Sequence, residues 1–381
     1  MKRVMGYCDR WSVAPGETVR FMVSCLEGDR YDAEIVRLKQ PDAGPLATPF
    51  APEPIAAPCN GSRSGRRQAI PIGSLAVVPA HPTLAIAGSF TIAAYVWPTT
   101  PAKGRQAIMG SWSEATQTGY GLEIDAQGAL TVRFGAGPGR VATLSSGVPL
   151  STRRWYLAAA AFDAERGVVT LWQEPLAAHD FHPEHPVSVT ASILARPGGA
   201  AQPLTFAAWS RGSANGPSAW GGFGFSCHFN GRIDRPRLVR GALDRAGIAE
   251  LMKPMVSASL SERVIGAWDF SRDIPTETVR DIGPWRRDGS VVNLPTRAVP
   301  GHNWTGAEPC WTRAPEQYGA IHFHDDDLVD ACWEPDFDFT VPDDLRSGVY
   351  AAKLSTEGFD YWIPFFVRPP RGKARSTVAF L

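Results

Sequence analysis

An all-β fold follows from three features of the sequence. Segments of five to eight residues rich in aromatic and aliphatic side chains, set off by turn residues at regular spacing, run from Ser74 to Glu174. The 44% hydrophobic content, with 13 Trp and 18 Phe, supplies buried sheet faces, and 37 Gly and 33 Pro supply the turns between them. Only one stretch, Arg245 to Met252, carries a helix signature, with Asp244 as its cap and Ile248, Leu251 and Met252 on one side. A chain of 381 residues exceeds one ordinary core, since domains cluster near about 100–150 residues, so two domains are expected.

Taken in order, Tyr7 to Trp11, Thr18 to Cys25 and Asp32 to Leu38 read as short strands. Val19, Phe21 and Val23 alternate with Arg20, Met22 and Ser24, the period of a strand with one buried face, and Ala14-Pro15-Gly16 turns the chain before them. So small a sheet cannot bury itself and needs strands from elsewhere. Residues 46–74, proline-rich and ending in a basic Gly-Ser patch, read as a linker. Arg63, Arg66 and Arg67 there are candidate phosphate contacts, with a solvated loop as the favoured reading.

The dense strands follow: Phe90 to Trp97, Gln106 to Trp112, Tyr120 to Asp125, a turn at Ala126 to Gly128, Leu130 to Phe134, Val141 to Leu144, Trp155 to Asp163 and Val168 to Glu174. Gly135-Ala-Gly137-Pro-Gly139 reads as a hairpin turn, because no helix follows it to make a phosphate loop. His179, His182 and His185 fall close together, but Pro183 and Pro186 keep them off any common face, and a loop is favoured over a metal site. Leu204 to Trp209 rejoins the sandwich. Trp112, Tyr120 and Trp220 are candidates for a sugar-stacking face, with core packing an equal or better account. Residues 264–300 return to strand and close the sandwich, and Gly348 to Leu354 and Tyr361 to Arg368 are clean strands near the end.

Charge and cysteine usage exclude several function classes. Lys plus Arg equals Asp plus Glu at 38 each, which leaves no field to draw nucleic acid or an anionic membrane surface. The start meets Asp9, Arg10 and Pro15 before any leader-like apolar run, and no apolar run reaches the roughly 18 residues of a membrane span, so a soluble, cytoplasmic protein is expected. Cys8, Cys25, Cys59, Cys227, Cys310 and Cys332 are scattered and are expected as reduced thiols rather than three disulfides. No GxSxG, GxxxxGK[ST] or HExxH motif occurs.

The sharpest chemical constellation is His322-Phe323-His324-Asp325-Asp326-Asp327. In a strand the two histidines share a face, and the carboxylates could complete a zinc or iron site or orient an imidazole. The competing reading, a turn and cap before DLVDACW, is favoured, because no third neutral ligand is identifiable.

Two resemblances frame these readings. FTIAAYVWPT, GYGLEIDAQGALTVRF, RRWYLAAAAFDAERGVVTLWQ and FNGRIDRPRLVRGALDRAGIAEL resemble, in order, the signatures of the laminin-G-like, concanavalin-type jelly roll. In that pattern Trp97, Trp155 and Phe162 belong to the inter-sheet core, while Asp163 and Asp234 begin turns, with calcium or sugar contact as their alternative role. The flanking segments DRWSVAPGETVRFMVS, HFHDDDLVDACWEPDFDFTVPDDLRSGVYAAKL and IPFFVRPPRGKARSTVAFL are similar to the N-terminal half of the N,N-dimethylformamidase large (beta) subunit family.

The resemblance implies a concanavalin-like jelly roll over 75–300, inserted in a discontinuous immunoglobulin-like β-sandwich of residues 1–45 and 315–370. It leaves linkers at 46–74 and 301–314 and makes 371–381 the opening of a missing C-terminal catalytic domain. It further implies an iron-dependent formamide hydrolase that assembles with itself and with a small accessory subunit. That family's tyrosine and glutamate iron ligands lie in the catalytic domain, and no residue here matches them. No catalytic, cofactor-binding or metal-binding residue is therefore expected in this chain, whose role is assembly and framing. The alternative is a free-standing glycan- or protein-binding module.

Overall fold

The computed structural model describes residues 3–39, 52–176, 184–199, 202–213, 223–374 and 377. His179, His182, Trp220 and residues 378–381, all named above, lie outside them. Strand outweighs helix by 48% to 6%, which fixes the class as all-β. The chain divides into two compact units, one of residues Met1–Ile70 with Ala331–Leu381 and one of Pro71–Asp330.

The larger unit is built from two antiparallel sheets. The first runs in the order Val141–Pro149, Ala129–Ala136, Thr118–Ile124, Gln106–Ser113, Leu204–Phe206, Leu75–Val78, Gly289–Val292 and Thr278–Asp281. The second runs Val187–Ser192, Val168–Pro175, Tyr156–Asp163, Phe90–Pro98 and Gly231–Arg240. Beyond Gly231–Arg240 two strands divide that edge, Val264–Asp269 and Ala320–Phe323, and Thr296–Val299 pairs with the latter.

Alternation sorts each strand's residues between faces. Ile92, Ala94 and Val96 join Leu122, Val132, Phe134, Phe162, Leu171, Ile233 and Ile321 in one buried cluster between the sheets. The hairpin at residues 126–128 forms as the sequence indicates, with Asp125 Oδ1 accepting from Gln127 N and Ala129 N, each at 2.9 Å. Asp163 plays the turn role assigned to it, its Oδ1 accepting from Glu165 N at 3.0 Å and Arg166 N at 3.1 Å.

Several expectations need correction. Trp97 and Trp155 are not in the inter-sheet core. Val96 and Tyr156 take the inward positions, so period two turns both tryptophans to the outer face of the second sheet, where they are half-buried. The helix Arg245–Leu251 forms where the sequence places it, capped by Asp244 Oδ1, which accepts from Gly247 N at 2.8 Å, and it covers a sheet face. Its Ile248 and Leu251 pack on the outward Leu157, Ala159, Ala161 and Val239, where the short alanines leave it a seat. The sandwich also extends past residue 300, because Ala320–Phe323 pairs with Gly231–Arg240 and sends Ile321 and Phe323 into the core.

The smaller unit faces a sheet in the order Val4–Cys8, Thr18–Cys25, Pro335–Thr340 against one in the order Ser12–Val13, Phe359–Val367, Gly348–Thr356, Arg30–Leu38. Val19, Phe21, Val23, Ile35, Phe339, Leu354, Ile363 and Phe365 fill the space between them. Here too the linker expectation fails in part. Glu53–Pro54 and Gly61–Ser64 both add to Arg30–Leu38, and Asn60 fixes them by accepting from Ile35 N at 2.9 Å while donating to Ile55 O at 2.8 Å. Cys8, Cys25, Cys59, Cys227 and Cys310 are free thiols.

Candidate functional site

The side chains with unspent chemistry gather on the outer face of the larger unit's second sheet. Strand pairing sets Trp97, Arg232 and His322 in one cross-strand row, with Tyr95, Asp234 and Ala320 in the row beside it. The Arg232 guanidinium lies 4.4 Å from the Trp97 ring centroid, and one of its nitrogens donates to Pro300 O at 3.1 Å. Burial alone lowers its pKa, whereas the buried Arg237 and the half-buried Arg287 and Arg297 each have an aspartate that partly offsets theirs.

His322 and His324 share a face, as their spacing requires, and their ring centroids stand 4.2 Å apart. Burial, then the neighbouring His324 and Arg232, pulls the His322 pKa down to about 4, so its imidazole is neutral over the ordinary pH range. Its Nε2 is buried without a hydrogen-bond partner. His324 Nδ1 lies 3.1 Å from Asp327 Oδ2.

The three aspartates do separate jobs. Asp325 bonds Lys103 Nζ at 2.7 Å and Asn230 Nδ2 at 2.6 Å. Burial would raise its pKa, but those bonds outweigh it and the carboxyl sits below its usual range. Asp326 is exposed, and Asp327 O accepts from Gly73 N at 2.8 Å. Among the described residues no group of three His, Cys, Asp or Glu side chains is placed to hold a metal ion. The aspartates after His324 are spent within the loop and on its neighbours: Asp325 on Lys103 and Asn230, and Asp327 on His324.

The second row holds a pair that the sequence reading missed. Asp234 is not a turn residue. It is a buried strand residue whose Oδ2 lies 2.6 Å from His302 Nδ1 and accepts from His302 N at 3.1 Å. The His302 ring stacks on Tyr95 at 3.8 Å and meets Trp155 edge-on at 6.4 Å. A carboxylate against Nδ1 fixes the ring's tautomer and orientation, and here it pins the loop after Pro300 to the sheet.

The outer face of the first sheet is closed by its own side chains. Trp112 and Trp209 are buried there, and Tyr120 points the other way, into the inter-sheet core, where its hydroxyl donates to Leu84 O at 3.0 Å. Between the tryptophans Glu123, 1% exposed, accepts from Arg133 at 2.7 Å and 3.0 Å, from Arg105 at 3.0 Å and from Trp209 Nε1 at 3.1 Å. Neither described aromatic is free to stack on a sugar.

Over its whole length the chain is 35% identical to the N,N-dimethylformamidase beta subunit of Paracoccus aminophilus, and over 98% of it 34% identical to that of an Alcaligenes species. The chain is similar from end to end to N,N-dimethylformamidase beta subunits. It spans about half the length of these curated relatives, 51% and 50%. Residues 296–381 match the family described as N,N-dimethylformamidase beta subunit-like, C-terminal, and residues 73–173 match the concanavalin A-like lectin/glucanases superfamily. The larger unit is thus a concanavalin-like sandwich. Among solved structures, the Ruminococcus gnavus IT-sialidase CBM40 is similar at 14% identity and TM-score 0.34, covering 47% of this chain and 93% of that one. A SAP-like pentraxin from Limulus polyphemus is similar at 10% identity and TM-score 0.29, covering 58% of this chain and 82% of that one.

Proposed function

We propose that this chain is a non-catalytic, N-terminal portion of a formamide-hydrolysing amide hydrolase, and that it assembles the subunit and frames an active site whose iron is held elsewhere in it. The observation that supports this most is the unbroken similarity of the whole chain to beta subunits about twice as long. A second support is that the described carboxylates nearest the clustered histidines and arginines are committed: Glu123 to two arginines, Asp234 to His302, Asp325 to Lys103 and Asn230. In this reading the protein works in the cytoplasm, as an oligomer with itself and with a small accessory subunit. The free-standing glycan-binding alternative loses the aromatic face that motivated it, since Trp112 and Tyr120 are buried.

The test compares the purified 381-residue chain with the complete subunit joined to its small partner, following dimethylamine release from N,N-dimethylformamide and iron content. The chain alone is expected to give neither turnover nor stoichiometric iron, and the complete assembly both. Turnover by the 381 residues alone overturns the proposal.

A further inference from the structure

Several of the more enclosed arginines of the larger unit have an acidic neighbour or several carbonyls to meet their charge, and Arg232 has less. Arg105 and Arg133 hold Glu123, and Arg297 spreads over the carbonyls of Thr276, Thr278, Phe270 and Arg272. Arg237 donates to Pro236 O and Trp268 O in a neighbourhood shared with Asp269, Asp234 and Asp281. Arg232 makes one bond, from Nη1 to Pro300 O, and no carboxylate among the described residues stands at ion-pair distance. That bond uses one corner of the guanidinium and leaves the Nε–Nη2 edge, whose Nε is buried without a partner. Two parallel N–H bonds on one edge are the donor pattern that matches a carboxylate or phosphate.

The neighbour directly across the ladder repeats the deficit. His322 pairs with Arg232 in register, and its Nε2 also lacks a partner. The groups facing this imidazole are His324, held by Asp327, the Trp97 ring at 6.0 Å, and Arg232. A half-buried cation and a half-buried imidazole side by side, each with unmet donors, cost stability unless a ligand with several acceptor oxygens meets them.

We propose that the Trp97–Arg232–His322 row is a binding site for a small oxyanion, a carboxylate or phosphate, that accepts from the Arg232 edge and from His322 Nε2–H. Trp97 shields one face of the guanidinium from water, which strengthens the bonds made by its edge. This site does not depend on the hydrolase reading.

The probes are inorganic phosphate and acetate, titrated separately into the full 381-residue chain while the imidazole C–H resonances of His322 are followed. A saturable shift is expected, with the imidazole titrating at a higher pH once the anion is bound. Arg232→Met is expected to weaken phosphate by about tenfold or more, and Arg232→Lys, which keeps the charge but not the edge, by a smaller factor. Should Arg232→Met fail to fold, His322→Phe, which removes the second donor and keeps the cation, is expected to weaken phosphate about fivefold. Shifts that never saturate, or binding that survives both Arg232→Met and His322→Phe, overturn the assignment. Repeating the titration on the complete assembly identifies the source: a free anion still binds there, whereas a site filled by a carboxylate of another polypeptide no longer answers to phosphate.

Discussion

The two outer faces of the larger unit use the same ingredients, tryptophan, arginine and strand geometry, to opposite ends. On the first sheet the Trp112 and Trp209 rings close on Gly135 and Gly121, and Glu123 is met by two arginines and an indole. On the second sheet Trp97 carries an arginine with no carboxylate, next to a histidine with a nitrogen to spare. On the first face the central carboxylate is met by the chain itself, while on the second an arginine and a histidine side by side keep donors unmet. Fully met polar groups rigidify a fold, and unmet ones mark where it expects company.

The largest expected effect comes from unbalancing the closed face. Glu123→Ala strands the Arg133 guanidinium and leaves Arg105 with Glu114 alone, and it is expected to cost about 3–5 kcal/mol in urea unfolding, whereas a loss under about 1 kcal/mol means that the clamp is ornamental. Gly121→Ala follows, because a Cβ there meets the Trp209 ring at 2.2 Å, and a cost of about 1–3 kcal/mol is expected from the same measurement.

The open face responds to pH instead. His322 takes its proton at about 4 when folded and near 6.5 when unfolded, so between those values the unfolded chain binds more protons. Its contribution is complete above pH 6.5 and is lost as the pH falls to 4, by about 1–2 kcal/mol once its half-open position is allowed for. Unfolding curves of the wild type and His322→Phe are expected to diverge over that window, and parallel curves refute the assignment. Smallest of all, Arg232→Met is expected to change stability by no more than about 1 kcal/mol, since no ion pair is broken. A loss as large as that of Glu123→Ala would make the two faces alike.

Much of the architecture was legible because it is local. The 126–128 hairpin, the Asp163 turn, the Asp244 cap and the shared face of His322 and His324 each follow from neighbours a few residues apart. What escaped depends on distance along the chain. Asp234 meets His302 across 68 residues, and Glu123 meets Trp209 across 86, separations at which no periodicity speaks. The inward or outward sense of Trp97 hinged on which of two adjacent residues entered the core, and a large indole suggested the wrong one. Residues 53–64 looked like linker because their short strands hold few apolar residues and depend on Asn60 and the edge of Arg30–Leu38.

In the larger unit the chain enters and leaves at one spot: Gly73 N donates to Asp327 O and Ser74 N to His324 O, each at 2.8 Å. In the smaller unit the stumps also touch, with Trp333 Nε1 donating to Ala69 O at 2.8 Å and Glu334 N to Gln68 Oε1 at 2.9 Å. Each body can therefore be sealed with a loop of about two to five residues and no rethreading. Residues 71–330 form a portable cassette, one that a genome can splice into a host sandwich, or lift out of it, in a single event.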